Sequence, residues 1–300
     1  MIGVPRPGSH GGDGVSVAQS LGLDPATIVD LSMSLNPFAP DVTAIAARHL
    51  DTVGRYPDPR AATAALADAI GVPHDQVVLT NGGSEAISLV AGAIGGTVVA
   101  EPEFGLHPRG TGGPQWRSNP HNPSGALAEP TELADVWDEA FYPLATGSWS
   151  RGDRGAVVVG SLTKVFACPG LRLGYVLGVD AARLTAAQPQ WPVSTLALTV
   201  LVHLLEVSDL PSWQRAIVAR RRELIALLDH HGLKATERAA PWVLVTGPDL
   251  RSLLAPHGVI VRDCTSFGWP GVVRISVPDD RGLERLSAAL ESLHLNQEQP

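Results

Sequence analysis

Lysine is almost missing from this sequence: of its 22 basic residues, only Lys164 and Lys234 are lysines. Arginine cannot stand in for a lysine amine as a nucleophile, because its guanidinium stays protonated. Chemistry that needs such an amine therefore has two candidates. Cysteine is equally scarce. Cys168 and Cys264 form no C-x-x-C pair and no zinc-ligand spacing, which excludes a disulfide framework and leads us to expect a reducing, cytoplasmic setting. Positive charge is in deficit, with 22 basic against 30 acidic residues, a net charge of −8 and a pI near 5.6. Without a basic field to draw in nucleic acid or an anionic membrane, a small-molecule partner is expected. Long apolar runs are lacking too. The most apolar window, residues 192–207, is broken by Ser194, Thr195, Thr199 and His203 and falls short of the ~20 residues of a membrane span. No apolar stretch follows Met1, so neither a targeting signal nor an anchor is expected. The 31 glycines and 25 prolines form no period and no low-complexity tract, which excludes collagen-like and disordered classes.

What is present is an ordinary globular composition, 44% hydrophobic and 17% charged over 300 residues, enough for one large domain with a smaller companion. Residues 1–40 are rich in Gly and Pro and read as an arm, helical near 16–21 and extended at 28–31. Residues 60–70 carry Ala61, Ala65, Leu66 and Ala69 at helical spacing, and Gly71-Val72-Pro73 stops them. A strand at 76–80, a helix at 84–93 and strands at 96–100, 155–160 and 171–179 follow, with a short helical piece expected around 131–136. This alternation predicts an α/β domain with a largely parallel sheet over residues 41–195. Beyond it come an apolar helix, an Arg-rich amphipathic helix near 212–231, strands at 242–246, 258–262 and 272–277, a helix at 248–256 and a last helix from Asp279. Residues 196–300 are thus expected to form a smaller α+β domain.

The strongest local signal is Ser161-Leu162-Thr163-Lys164, directly after the apolar run Ala156-Val157-Val158-Val159 and followed by Pro169-Gly170-Leu171-Arg172-Leu173-Gly174-Tyr175. A lysine where a core strand ends either snorkels to solvent or has its pKa depressed and serves as a nucleophile. Ser161 before it and Arg172 after it are groups suited to an anionic phosphate. Six further segments stand in order along the chain: Tyr56-Pro57-Asp58, Gly82-Gly83-Ser84-Glu85, Pro102-Glu103-Phe104, Asn119-Pro120-His121-Asn122-Pro123-Ser124-Gly125, Asp138-Glu139-Ala140-Phe141, and Arg274. Together these segments resemble the fold type I pyridoxal-phosphate enzymes of the aminotransferase class I/II family. The resemblance implies that α/β fold with a shortened large domain, pyridoxal 5′-phosphate as cofactor, no metal, and a homodimer.

On that resemblance Lys164 is the lysine that carries the cofactor. Asp138 pairs with the pyridine nitrogen so that the ring withdraws electrons, and Asn122 hydrogen-bonds the ring oxygen O3′. Gly83, Ser84 and Glu85 open a helix whose free N–H groups favour a phosphate, in a cup that Ser161 and Arg172 complete. Tyr56 reaches the phosphate of the neighbouring subunit's cofactor. His107 takes the place of the aromatic that stacks on the ring. Phe141 stands where many relatives carry a tyrosine on O3′, so that bond is either absent or made by Tyr142.

The first forty residues narrow the resemblance. His10-Gly11-Gly12, Ile28-Val29-Asp30-Leu31-Ser32 and Leu35-Asn36-Pro37 look like the opening of the L-threonine-O-3-phosphate decarboxylases of cobalamin biosynthesis, which implies His10 and Asn36 at the substrate. Histidinol-phosphate aminotransferases share the Asn-Pro but normally lack the His-Gly-Gly arm. Arg262 and Arg274, at the ends of two adjacent predicted strands, suit a substrate bearing both a carboxylate and a phosphate. Arg274 resembles the family's carboxylate clamp, which leaves Arg262 for the phosphate. Three readings stay open: the decarboxylase, a histidinol-phosphate-type aminotransferase using 2-oxoglutarate and glutamate, and a catalytically silent binding or regulatory protein. The third arises because the intervals from Pro102 to Asn119 and from Gly125 to Asp138, 17 and 13 residues, are shorter than in typical relatives.

Overall fold

The computed structural model describes residues 4–8, 10–153, 155–178, 181–247 and 249–295. The β-branched run Val77–Asn81 and its partners build a six-stranded sheet in the order Val77–Asn81, Leu173–Leu177, Val157–Gly160, Val136–Asp138, Gln115–Ser118, Thr97–Val98. The last four pair in parallel. Leu173–Leu177 runs antiparallel to both its neighbours, because residues 161–172 hold only the four-residue helix Leu162–Val165 and a parallel return needs a longer crossover. Helix Gly82–Ile94 packs on one face of the sheet through Ala86, Ile87 and Val90, and Arg60–Ile70 on the other through Ala62 and Leu66.

The helix expected around 131–136 does not form. Val136 and Trp137 are fully buried as a central strand, and the Asp135 N–H donates to the Gln115 carbonyl at 2.9 Å. Burial between two strands outweighs the local helical pattern. Among the described residues no single helix is long and apolar enough to cross a membrane.

The C-terminal part holds a four-stranded antiparallel sheet, Arg262–Asp263, Val272–Ser276, Trp242–Thr246 and Ala235–Glu237 in that order. Helices Leu210–His230 and Asp280–Leu295 contribute Leu224, Leu228, Leu286 and Leu290 to its core. The strand expected at 258–262 divides in two. Val259–Ile260 leaves the sheet to pair in parallel with Val29–Asp30 of the arm, while Arg262–Asp263 stays. Of the helix expected at 248–256, Pro248 lies outside the described residues and Leu250–Leu254 is helical; Val179, at the end of the strand expected at 171–179, also lies outside them. The apolar helix Thr195–Glu206 packs on the first core through Leu198, Leu201 and Leu204, so we propose that the large domain ends beyond Glu206 and not at residue 195.

Candidate active site

A cavity of about 280 Å3 opens where the parallel strands end, the place at which open α/β sheets bind ligands. The strand ends supply Ser118, Asp138 and Gly160, and the tight turn after Gly160 brings in Ser161 and Lys164. Arg262, Phe267 and Arg274 enter from the C-terminal sheet, and His10 and Gly11 from the arm. Lys164 Nζ donates to the Met33 carbonyl at 3.0 Å. Burial, then the charges of Arg274 and Arg172, pull its pKa down to about 8, which makes the amine a nucleophile near neutral pH.

Asp138 Oδ1 accepts the Ala140 N–H at 3.0 Å, and Oδ2 lies 2.9 Å from His107 Nε2. The opposite wall is the start of helix Gly82–Ile94, where Gly83 and Ser84 line the cavity with Ser161 and Arg172. Gly82 has φ +77°, and a Cβ there would stand 2.5 Å from Arg172 Nη2. Only glycine lets the guanidinium lie against this helix start. Arg274 is sandwiched between Asn122, whose Oδ1 accepts from Nη1 at 2.7 Å, and the Trp242 ring, 4.6 Å from the guanidinium carbon. Its pKa falls to about 10 through burial, and its Nε has no hydrogen-bond partner among the described residues. Arg262 stands directly opposite Arg274 across the two strands; its Nη1 donates to the Gly8 carbonyl and Nη2 to Ser266 Oγ, both at 2.7 Å.

The model of the aminotransferase class I and II family matches residues 116–290, more than half of the chain. The histidinol-phosphate aminotransferase of Halobacterium salinarum is 30% identical, over 92% of this chain and 94% of that one. That alignment spans 347 positions, more than the chain has residues, so it carries gaps. The chain belongs to the aminotransferase class I and II family. Solved structures share its fold: the histidinol-phosphate aminotransferase from Clostridium acetobutylicum has a TM-score of 0.76 at 20% identity, covering 89% of this chain and 99% of that one. The L-threonine-O-3-phosphate decarboxylase from Porphyromonas gingivalis has 0.73 at 21%, covering 89% and 100%, and the histidinol-phosphate aminotransferase from Sinorhizobium meliloti, solved with pyridoxal-5′-phosphate, 0.75 at 18%, covering 92% and 94%.

This class I and II protein is a pyridoxal-phosphate-dependent enzyme, and its cavity fits the cofactor. The donor set is the one required: a lysine amine of depressed pKa, a carboxylate at a strand end, and a helix N-terminus beside a serine and an arginine. Lys164, Asp138, Asn122, Gly83, Ser84, Ser161, Arg172, His10, Arg262 and Arg274 all line the cavity. Four expected residues do not line it. His107 stands behind Asp138, fully buried, and cannot stack on a ring in the cavity. Glu85 turns away to cap its helix, accepting from the Asn81 N–H at 2.5 Å and Gln188 Nε2 at 3.3 Å. Asn36 spends its amide on the backbone, Nδ2 donating to the Val165 carbonyl and Oδ1 accepting the Phe38 N–H; it braces the Lys164 turn instead of facing substrate. Tyr56 is 78% exposed against Trp191, outside this chain's cavity.

Sequence reasoning missed Phe104, which lines the cavity with its ring 5.5 Å from that of His10. The signal was present, since Phe104 is the aromatic in the same short motif as His107. Phe141 lines the cavity and Tyr142 does not, so neither puts a hydroxyl there. His10 has its pKa lowered by burial, then by the charges of Arg262 and Lys164.

Proposed function

We propose that this protein decarboxylates a phosphate-bearing amino acid, with L-threonine O-3-phosphate as substrate and an aminopropanol phosphate for corrinoid side chains as product. The observation that carries this reading is the convergence of His10, Arg262 and Arg274 on the cavity of Lys164. Two guanidiniums facing each other on adjacent strands repel, and an anion at each offsets that cost. A substrate with a carboxylate on Cα and a phosphate on Cβ supplies both.

Pyridoxal phosphate, when bound, supplies an electron sink for whichever bond at the substrate Cα stands perpendicular to its ring. The protein's part is to choose that bond. Arg274, held between Asn122 and Trp242, fixes the carboxylate, while Arg262 takes the phosphate in exchange for its present contact with Gly8. With the carboxylate so placed, CO2 would be lost and Lys164, in its protonated form, would supply the proton to Cα. With the Cα–H bond so placed, the same amine, unprotonated, would take that proton, the first step of a transamination.

Transamination of histidinol phosphate is the second reading, favoured by the name of the relative at 30% identity. The silent reading is disfavoured by the retention of Lys164 and Asp138 in one cavity. A homodimer belongs to the proposal, with the exposed Tyr56 serving the neighbouring subunit's cofactor. The deciding experiment is mass spectrometry of products after incubating the cofactor-loaded protein with O-phospho-L-threonine, with and without 2-oxoglutarate. Aminopropanol phosphate is expected without any keto acid. Glutamate formed only from histidinol phosphate plus 2-oxoglutarate would replace this reading with the second, and no product from either would leave the silent protein.

A further inference from the structure

Arg274 leans on a side chain that never reaches the cavity. Trp242 opens the strand Trp242–Thr246, and in the pairing of that strand with Val272–Ser276 it stands opposite Ser276 while Arg274 stands opposite Leu244. The two residues are therefore diagonal neighbours on one face of the sheet, and the indole ring lies 4.6 Å from the guanidinium carbon. Trp242 is fully buried, so the contact is made away from water, where the attraction of a cation to a ring face counts for most.

The edge of the same indole is tied to a distant part of the chain. Its Nε1 donates to the Pro123 carbonyl at 3.0 Å, and beside it the Ala240 N–H donates to the Gly125 carbonyl at 3.2 Å. Pro123 is bonded to Asn122, whose Oδ1 accepts from Arg274 Nη1 at 2.7 Å. The contacts close a circuit: indole ring to guanidinium, guanidinium to Asn122, along the peptide bond to Pro123, and back to the indole N–H. Gly125 leaves room for it, since its φ is +80° and an added Cβ would stand 3.2 Å from Nε1. Phe141 packs edge-on against the indole, with ring centroids 4.8 Å apart, and itself lines the cavity.

We propose that Trp242 is the positioning residue of the carboxylate site: it braces Arg274 and Asn122 against each other before a ligand arrives, and so makes the cavity select ligands that carry a carboxylate beside their phosphate. This rests on reading Arg274 as the group that takes the carboxylate. Trp242 acts only through Arg274, since it does not line the cavity. A guanidinium already fixed on two sides gives up little freedom when an anion binds, and lost side-chain freedom is a large part of the cost of association. Without the brace, Arg274 can swing, and the carboxylate has to order it.

The test compares 3-phosphooxybutanoate with isopropyl phosphate, ligands that differ only in the carboxylate and lack an amine to react with the cofactor. In calorimetry on the cofactor-loaded protein, the wild type is expected to prefer the first by about a hundredfold, the effect of a charge-assisted pair. Trp242→Phe keeps a ring on the guanidinium and removes the N–H donor, and should cut that preference about fivefold. Trp242→Leu removes the ring as well and should cut it about thirtyfold. Affinity for isopropyl phosphate should stay within about threefold in both variants, because its contacts do not pass through Arg274. A preference kept in both variants, or an equal loss of both ligands, overturns the brace. In wild-type protein carrying 15N-arginine, one guanidinium that is absent from Arg274→Lys should show N–H signals shifted upfield by the indole; no such signal overturns the brace even if neither Trp242 variant folds. Failure of the underlying reading looks different: a wild type that binds both ligands alike would take the carboxylate from Arg274, and the brace with it.

Discussion

Lys164 shows how much one residue can owe to composition and how much to surroundings. With two lysines in the chain, its candidacy needed only the strand before it. Its lowered pKa comes from burial, then from Arg274, distant in sequence, and from Arg172 in the same motif. A pKa lowered to about 8 means the amine is mostly protonated at pH 6.5 and mostly free at pH 9. The rate at which apoprotein takes up pyridoxal phosphate, followed by the visible band, should therefore rise about tenfold or more across that interval, and Lys164→Ala should abolish the borohydride-fixed product. Asn36, Glu85 and His107 mark the limit of residue-level reading. Each lies in a segment that reaches the cavity, yet each side chain is claimed by a backbone group or buried carboxylate. Motif position reports where the backbone goes, and the side chain's direction depends on partners that arrive from elsewhere in the chain.

Among the elements, the arm owes most to partners distant in sequence. Gly and Pro enrichment in residues 1–40 reads as an arm with an extended stretch at 28–31, but its partners lie far along the chain: residues 29–30 are zipped onto Val259–Ile260 and Asp13 pairs with the buried Arg251 at 2.6 Å. Gly11 is pressed so close to Ser32 that an added Cβ would stand 2.3 Å from its carbonyl oxygen. Since backbone atoms cannot yield as a side-chain tip can, Gly11→Ala should lift His10 off the cavity. Steady-state kinetics should then show KM for the phosphorylated substrate raised about tenfold or more, a loss of over 1 kcal/mol of binding, with the cofactor band unchanged. An unaltered KM would remove the arm from substrate binding. Helices 60–70 and 84–93 were legible because their apolar spacing and stop signals are local. The strand at 136–138 was not, since its three residues acquire strand character only between Gln115–Ser118 and Val157–Gly160.

For the molecule as a whole, the buried carboxyl of Glu139 links the sheet's end to stability. Burial raises its pKa to about 7, against hydrogen bonds from Ser150 and the Arg151 backbone that lower it. A carboxyl raised in the folded state contributes its stability fully below the unfolded value near 4.5 and loses it as pH rises through 7. The apoprotein should lose about 1–3 kcal/mol from this group between pH 4.5 and 7.5, and Glu139→Gln should flatten that part of the profile in urea titrations. Equal slopes in both proteins would mean that Glu139 is ionised throughout. The shortened intervals also belong at this scale. Ser118, Asn122 and Asp138, at their edges, still meet in one cavity, because Gln115–Ser118 and Val136–Asp138 are adjacent parallel strands in register.

By itself the sequence determined the family, the cofactor and the alternation of strands and helices, and it singled out Lys164 and the two arginines as candidates. These are properties of residue type, order and local periodicity, which neighbours along the chain suffice to express. Only the tertiary structure decided that Leu173–Leu177 runs against the sheet, that the arm pairs with Val259–Ile260 in a separate two-stranded sheet, that Phe104 and not His107 faces the cavity, and that His107 lies between Asp138 and Glu103. Each of these depends on which distant groups compete for the same buried space and the same proton, a contest that is settled only when the chain closes on itself.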